Sequence, residues 1–393
     1  MSRFDLTAIQ SALREAGLDG WLFYDHHERD PLAYRVLHFT PVGAVTRRWY
    51  YFIPKTGEPR GLVHRIESGR LDLLPGSKRL YASWQEQYQG LKELLNGARR
   101  VAMQYSPQCA IPYVATVDAG TVELVRSLGV EVVSSADLIQ LFEARWTPAM
   151  VEMHLEAGKR VDQARRDAFE HLQAALRQGA AVTEYSLRQF LLDRFSQAGL
   201  ETDFGPIVAV NANASDCHYV PTAQRHSPIR RGDLVLVDLW AKLREPDAVY
   251  YDITWTAYCG PEPPELIRQV FAIVREARDT ALRLITDSLA AGRTLRGCDV
   301  DDAVRGYITA QGYGPYFTHR TGHSIGREVH GNGANIDNFE THDERQLIPG
   351  TCFSIEPGIY LPNFGIRSEV NVLIEDRGAR VTGEIQRELV LLD

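Results

Sequence analysis

The chain has 393 residues, 44% of them hydrophobic, a length comfortable for two domains and a composition that excludes intrinsic disorder. Its 51 Asp and Glu outnumber 43 Lys and Arg to give a net charge of −8, without the basic surplus of a nucleic-acid binder. Mean hydropathy is −0.25, and no run approaches the roughly 18 continuous apolar residues of a membrane helix, so neither nucleic acid nor a membrane is expected as a partner. Five scattered cysteines (Cys109, Cys217, Cys259, Cys298 and Cys352) form no CxxC pair. That usage points to a reduced, cytoplasmic chain without a disulfide framework or a thiolate zinc site. The first residues read as a short amphipathic helix, not as a secretory signal.

Up to about residue 145, strand-like and helical segments alternate. Strands are expected at 20–25, 47–54, 99–105 and 130–135, and helices at 7–17, 83–97 and around 115–129, which together suggest a small α/β domain with a mixed sheet. No GxGxxG follows any strand, so a dinucleotide site has no support. The one dense polar patch, Asp25-His26-His27-Glu28, reads as a solvated loop.

The pattern then changes to a long amphipathic helix, with Thr147 as N-cap, Pro148 at the first helical position and Gly179 at the end. The domain boundary is placed at Trp146. A second helix follows, from Thr183 to Gly199, then strands; a long helix at 263–285 and a shorter one at 298–312 repeat the arrangement. Each helix pair is followed by a histidine-bearing loop and by two strand-like runs that each hold an acid, a suggestive internal symmetry.

Those acids are out of place. Leu234–Trp240 is apolar on both faces, yet holds Asp238. Asp252 precedes Ile253-Thr254-Trp255, Glu356 ends the run from Cys352, and Glu369 precedes Val370-Asn371-Val372. An ionised carboxylate buried alone costs several kcal/mol, and Arg367 is the one basic residue inside the four runs. Each acid taken singly could cap a turn. Four together, each pair beside a histidine loop (His218 in one half, His319, His323 and His330 in the other), point to a metal centre. Oxygen-rich ligation with one imidazole suits two divalent ions, with Mn²⁺, Co²⁺, Zn²⁺ and Fe²⁺ as the candidates.

The order Asp…Asp…GH-x-IG…IEPG-x-Y…R-x-E resembles the pita-bread metallopeptidases: prolidase, aminopeptidase P and methionine aminopeptidase, with creatinase as a relative. The resemblance covers roughly residues 147–393, and the upstream domain with its RWTPAMVEM entry is similar to the prolidase, aminopeptidase P and creatinase branch. It implies an α+β chain, with a C-terminal pita-bread fold (a pseudo-symmetric antiparallel sheet covered by helices) over 147–393. A smaller N-terminal α/β domain of creatinase and prolidase type would occupy 1–146.

Carried over residue by residue, the resemblance implies that Asp238, Asp252, His323, Glu356 and Glu369 bind two metal ions, manganese first, with Asp252 and Glu369 shared between them. Glu356 would be the acid/base, and His319, His330 and His218 catalytic histidines on the substrate side. His218, His330 and Arg367 would contact substrate. The implied activity is hydrolysis of dipeptides with proline in the second position, by a homodimer. Aminopeptidase P activity on longer peptides, a creatinase-like C–N hydrolase and an inactive binding homologue are the alternatives. Arg327, Arg345 and Arg367 are candidates to meet a dipeptide carboxylate. The chain also departs from the family pattern. The two aspartates stand fourteen apart instead of about eleven, Trp255 replaces an arginine, Gly331 replaces a glutamate, and Asp247 in the longer hairpin tip reads as a turn residue.

Overall fold

The computed structural model describes residues 4–40 and 43–393, which form two compact units, Met1–Ala144 and Arg145–Asp393.

The first unit is a three-layer α/β arrangement. In chain order it contains α1 (Leu6–Glu15), β1 (Gly20–Asp25), α2 (Pro31–Val36), β2 (Trp49–Pro54), β3 (Arg60–His64), β4 (Ser77–Tyr81), α3 (Trp84–Leu94), β5 (Arg100–Met103), α4 (Ala119–Ser127), β6 (Glu131–Ser134) and α5 (Ala136–Ile139). The six strands pair in the order β4-β3-β2-β1-β5-β6, with β1/β5, β5/β6 and β3/β4 parallel and β2 antiparallel to both of its neighbours. Central strand β1 is buried along its whole length. Its alternate side chains therefore feed two cores: Trp21 and Phe23 join α1, α2 and α5, while Leu22 and Tyr24 join α3 and α4. Sequence periodicity finds β1, β2, β5 and β6 but passes over β3 and β4. Strand β4, SKRLY, is an edge strand exposed at all but its last residue, so it carries no apolar alternation to detect.

The second unit opens with α6 (Pro148–Gln178), started by Thr147, whose hydroxyl accepts the Met150 N–H, and stopped by Gly179 at φ 67°. It continues with β7 (Val182–Thr183), α7 (Glu184–Gln197), β8 (Leu200–Glu201), β9 (Ile207–Val210), β10 (Pro228–Ile229), β11 (Leu234–Leu243) and β12 (Tyr251–Tyr258). Helices α8 (Glu265–Ala290) and α9 (Gly297–Ala310) follow, then β13 (Ser324–Ile325), β14 (Cys352–Ile355), β15 (Gly358–Leu361), β16 (Phe364–Arg367), β17 (Val370–Glu375), β18 (Gly378–Thr382) and β19 (Val390–Leu391). Helices α6 and α7 cover the β9-β11-β12 sheet through one apolar core, and α8 and α9 cover the strands from β14 to β17 through another. The halves therefore repeat a helix pair over an antiparallel hairpin. No helix among the described residues is long and apolar enough to cross a membrane.

Candidate metal centre

Strands β11 and β12 pair with Asp238 opposite Thr254 and Trp240 opposite Asp252. The two aspartates are thus diagonal neighbours on one face of the hairpin, and the extra residues between them are absorbed in the tip. Asp247 lies in that tip at φ 63° and pairs with Arg327 at 3.0 Å. Trp255 belongs to the opposite face: it packs in the helix-covered core, with the Arg165 guanidinium 3.6 Å from its ring centroid. The departure at Trp255 therefore points away from the carboxylates. At Gly331 a side chain would crowd the Gly326 N–H and the Ser324 hydroxyl, each 3.0 Å from a Cβ placed there.

The second acid pair sits where two ladders are interrupted. Strands β14 and β17 pair up to Ile355 and Val370, and β15 and β16 resume at Gly358 and Arg367 in the same register. Glu356 and Glu369 thus fall opposite each other in the gap, outside the strands that the apolar runs suggest. Released from the ladder, the Glu369 N–H donates to the Thr254 carbonyl at 3.2 Å and the Glu356 N–H to the Thr321 carbonyl at 2.8 Å. The first contact joins the two acid-bearing hairpins.

These elements converge. Ligand atoms of Asp252, His323 and Glu369, all three buried, lie within 4.8 Å of one another. His323 Nε2 is 3.5 Å from Asp252 Oδ2 and 3.3 Å from Glu356 Oε1. Asp238 receives Arg367 Nη2 at 2.5 Å. Burial raises the pKa of all three strand-side acids: Asp238 is pushed up to about 7, Asp252 is raised, and Glu369 lies well above the carboxylate range, each made worse by the neighbouring carboxylates. Glu356 differs. Burial pulls it up, but the His323 and Arg367 charges outweigh that and hold it below the ordinary value. Burial also opposes charging His323, yet Asp252 and Glu356 raise its pKa.

Arg367, 3% exposed, is committed in three directions: to Asp238, to the Thr254 hydroxyl at 2.9 Å and to the Tyr360 hydroxyl at 3.1 Å. Thr254 in turn donates to Glu369 Oε2 at 2.8 Å. His319 gives its Nδ1–H to the Arg320 carbonyl at 2.7 Å, which leaves Nε2 to accept the Tyr360 hydroxyl at 2.6 Å. Tyr360 thus links the histidine loop to the carboxylate arginine, and only its place in IEPG-x-Y hints at this in the sequence. His330 is brought beside His323, ring centroids 4.4 Å apart, and His218 lies exposed on its loop. Arg345 is not brought to the site. It is buried on Asp343 and on the carbonyls of Asn332 and Gly333.

A divalent ion fits this donor set. Asp252 Oδ1 and Glu369 Oε1 are buried oxygens with no hydrogen-bond donor. Buried polar atoms are rarely left so, and a cation shared by these oxygens would meet their requirement while offsetting the mutual repulsion of the carboxylates.

Comparison with known proteins bears on the same segment. The model of metallopeptidase family M24 matches residues 152–376, more than half of the chain. The Xaa-Pro dipeptidase of Lactobacillus delbrueckii subsp. lactis is 32% identical over 60% of this chain and 59% of its own length, so the match spans about three fifths of that relative. The Xaa-Pro dipeptidase of Pyrococcus furiosus is 31% identical over 65% of this chain and 67% of its own. Among solved structures, dipeptidase PepE from Mycobacterium ulcerans superimposes with a TM-score of 0.71 at 25% identity, covering 100% of both chains. The α+β architecture is that of the pita-bread fold, and the chain belongs to metallopeptidase family M24.

Proposed function

We propose that the protein is a metal-dependent hydrolase of Xaa-Pro dipeptides, a prolidase. The observation that carries this reading is the pair of donorless carboxylate oxygens, Asp252 Oδ1 and Glu369 Oε1, buried beside His323. The dipeptidase activity named for the relatives gives it a substrate class. Asp238, Asp252, His323, Glu356 and Glu369 would hold two divalent ions, manganese before cobalt, zinc or iron. When bound, the ions supply Lewis acidity, which polarises the scissile carbonyl and acidifies water.

The chain's own residues do the rest. Glu356 is kept ionised by its cationic neighbours, and its side chain is 14% exposed against 6% for Asp252. It is therefore the carboxylate placed to take a proton from water and pass it to the leaving nitrogen. That transfer matters because an Xaa-Pro bond is a tertiary amide, without an N–H, whose ring prevents strand-like binding of the substrate. His218 and His330 contact the substrate, and His319 is held in place through Tyr360. Arg367 positions Asp238 and Glu356 without touching the peptide. A cytoplasmic homodimer is the proposed setting, checked by light scattering after size exclusion.

Xaa-Pro aminopeptidase activity on longer peptides is the second reading. It is favoured by one observation: Arg345 and Arg367 are committed inside the fold and Arg327 is paired with Asp247, so none of the three stands ready for a dipeptide carboxylate. Ala-Pro, Gly-Pro and an Xaa-Pro-Pro tripeptide should be assayed with each metal and with chelator. Cleavage of the dipeptides, abolished by chelator, is expected. Preference for the tripeptide establishes the second reading, and no cleavage of either under any metal refutes both.

A further inference from the structure

The first unit carries a cavity of about 730 Å³ that the peptidase reading does not use. Topology explains its place. Strands β1, β3 and β4 end at this edge of the sheet, at Asp25, His64 and Tyr81, while β2 begins there at Trp49. Helices α3 and α4 pack on the same sheet face and both start at this edge, so a crevice opens between their first turns and the strand ends. Open α/β sheets take their ligands in such crevices, and the size falls within the range of small-molecule sites.

The lining is cationic in a chain of net charge −8. Arg29, Arg47 and Arg48 line it. Among the described residues, none of the three guanidinium groups meets an acid: Arg47 reaches no further than the carbonyl and hydroxyl of Thr46, at 3.0 and 3.3 Å, Arg29 bonds through its backbone N–H, and Arg48 through its carbonyl. The one lining carboxylate, Asp118, is taken up in capping α4, with the Thr121 N–H and hydroxyl each at 2.9 Å. Trp84 stands at the rim, 71% exposed.

The loop that carries Arg29 is rigidly built. His27 and Glu28 are consecutive non-glycine residues at φ 65° and 56°, a conformation costing about 1 kcal/mol or more each. The buried Asp25 carboxylate holds them there, accepting the N–H groups of Glu28, Arg29 and Asp30 at 3.0, 2.7 and 3.0 Å and the Tyr34 hydroxyl at 2.5 Å. The polar patch Asp25–Glu28 is a loop with His27 and Glu28 exposed, as its composition suggests, and the buried Asp25 carboxylate organises its turn. Burial, with the charges of His27, Arg29 and Arg48, keeps His26 below its ordinary pKa.

We propose that this cleft binds a small phosphorylated organic anion, with Arg29, Arg47 and Arg48 taking the phosphate oxygens and Trp84 stacking on a planar ring. Unpaired guanidinium groups match phosphate in charge and bidentate geometry. The volume exceeds what one inorganic phosphate fills, and an exposed indole beside arginines suits a ring attached to the phosphates.

The test is calorimetric titration of the full chain with inorganic phosphate, pyrophosphate and ADP, together with Arg48→Ala, Arg29→Ala/Arg47→Ala and Trp84→Ala variants. ADP should saturate one site per chain, more tightly than phosphate. Loss of each charged contact should weaken it about tenfold or more, and Trp84→Ala should weaken ADP without changing pyrophosphate. Arg29 and Arg47 are exposed, so the double variant reports even if Arg48→Ala does not fold. Absence of saturation by any probe at millimolar concentration overturns the proposal. So does ADP binding unchanged in the arginine variants, which would place the anion elsewhere, including at the metal centre. Equal affinity for pyrophosphate and ADP overturns the stacking role of Trp84.

Discussion

His154 provides a test of the second unit that is independent of catalysis. It sits on α6 at 0% exposure, with Nδ1 2.7 Å from the Tyr250 carbonyl and Nε2 2.7 Å from the Thr382 hydroxyl. The carbonyl can only accept, so Nδ1 carries the proton and Nε2 accepts from threonine. Burial is the main cause that lowers its pKa from 6.5 to about 4, and the Tyr250 bond opposes this only in part. Between those two values the unfolded chain binds a proton that the folded chain refuses. The stabilisation is therefore complete above pH 6.5 and is lost as pH falls towards 4. At 1.36 kcal/mol per unit, the loss on going from pH 7.5 to 4.5 is roughly 2–3 kcal/mol. Urea denaturation of the wild type and His154→Gln, both in chelator so that metal release drops out, would read it. The stability difference between the two proteins should shift by that amount in favour of the variant at low pH. Identical pH slopes would refute the assignment of a neutral imidazole to the folded state.

Further predictions concern the centre itself. Glu356→Ala and Asp252→Asn should each lower turnover at least about 10²-fold with circular dichroism unchanged; retained activity would sink the proposed site. Arg367→Ala leaves Asp238 buried without its guanidinium and should destabilise the metal-free protein by about 3–5 kcal/mol, measured by denaturant midpoint. A Cβ on Gly322 would collide with the Ser354 carbonyl, so Gly322→Ala should cost about 1–3 kcal/mol and reduce metal content by displacing His323. Mn²⁺ at one hundred times its dissociation constant should add about 2.7 kcal/mol per site, seen as a higher melting temperature that chelator reverses.

What was legible in the sequence was local. Thr147, Pro148 and Gly179 mark both ends of α6 because caps act within one turn. Acids in apolar runs flagged the centre because their cost is intrinsic to burial. Partner choice was not legible. Arg367 meets Asp238 across 129 residues and Tyr360 meets His319 across 41, and no local pattern encodes such pairings. The breaks at Glu356 and Glu369 were also hidden, since the apolar runs continue on either side and only the Thr321 and Thr254 carbonyls draw the backbone out of the ladder. The exposed loop at His27 and Glu28 was legible from its composition, but the organising role of Asp25 was not, because its three backbone acceptances exist only once β1 and α2 are in place.

The two carboxylate hairpins meet through the Thr254–Glu369 hydrogen bond, between residues 115 apart in the chain. A cation held between them would act as a removable cross-link over a loop of that length, a constraint on the unfolded chain of about 4–5 kcal/mol if it behaves as a disulfide of that span does. The nascent chain cannot assemble the site until its second half has emerged and docked, so metal capture would come late in folding. Scarcity of the ion would then lower the amount of folded protein as well as its turnover, and a chain cut anywhere between the hairpins would lose the stabilisation along with the chemistry.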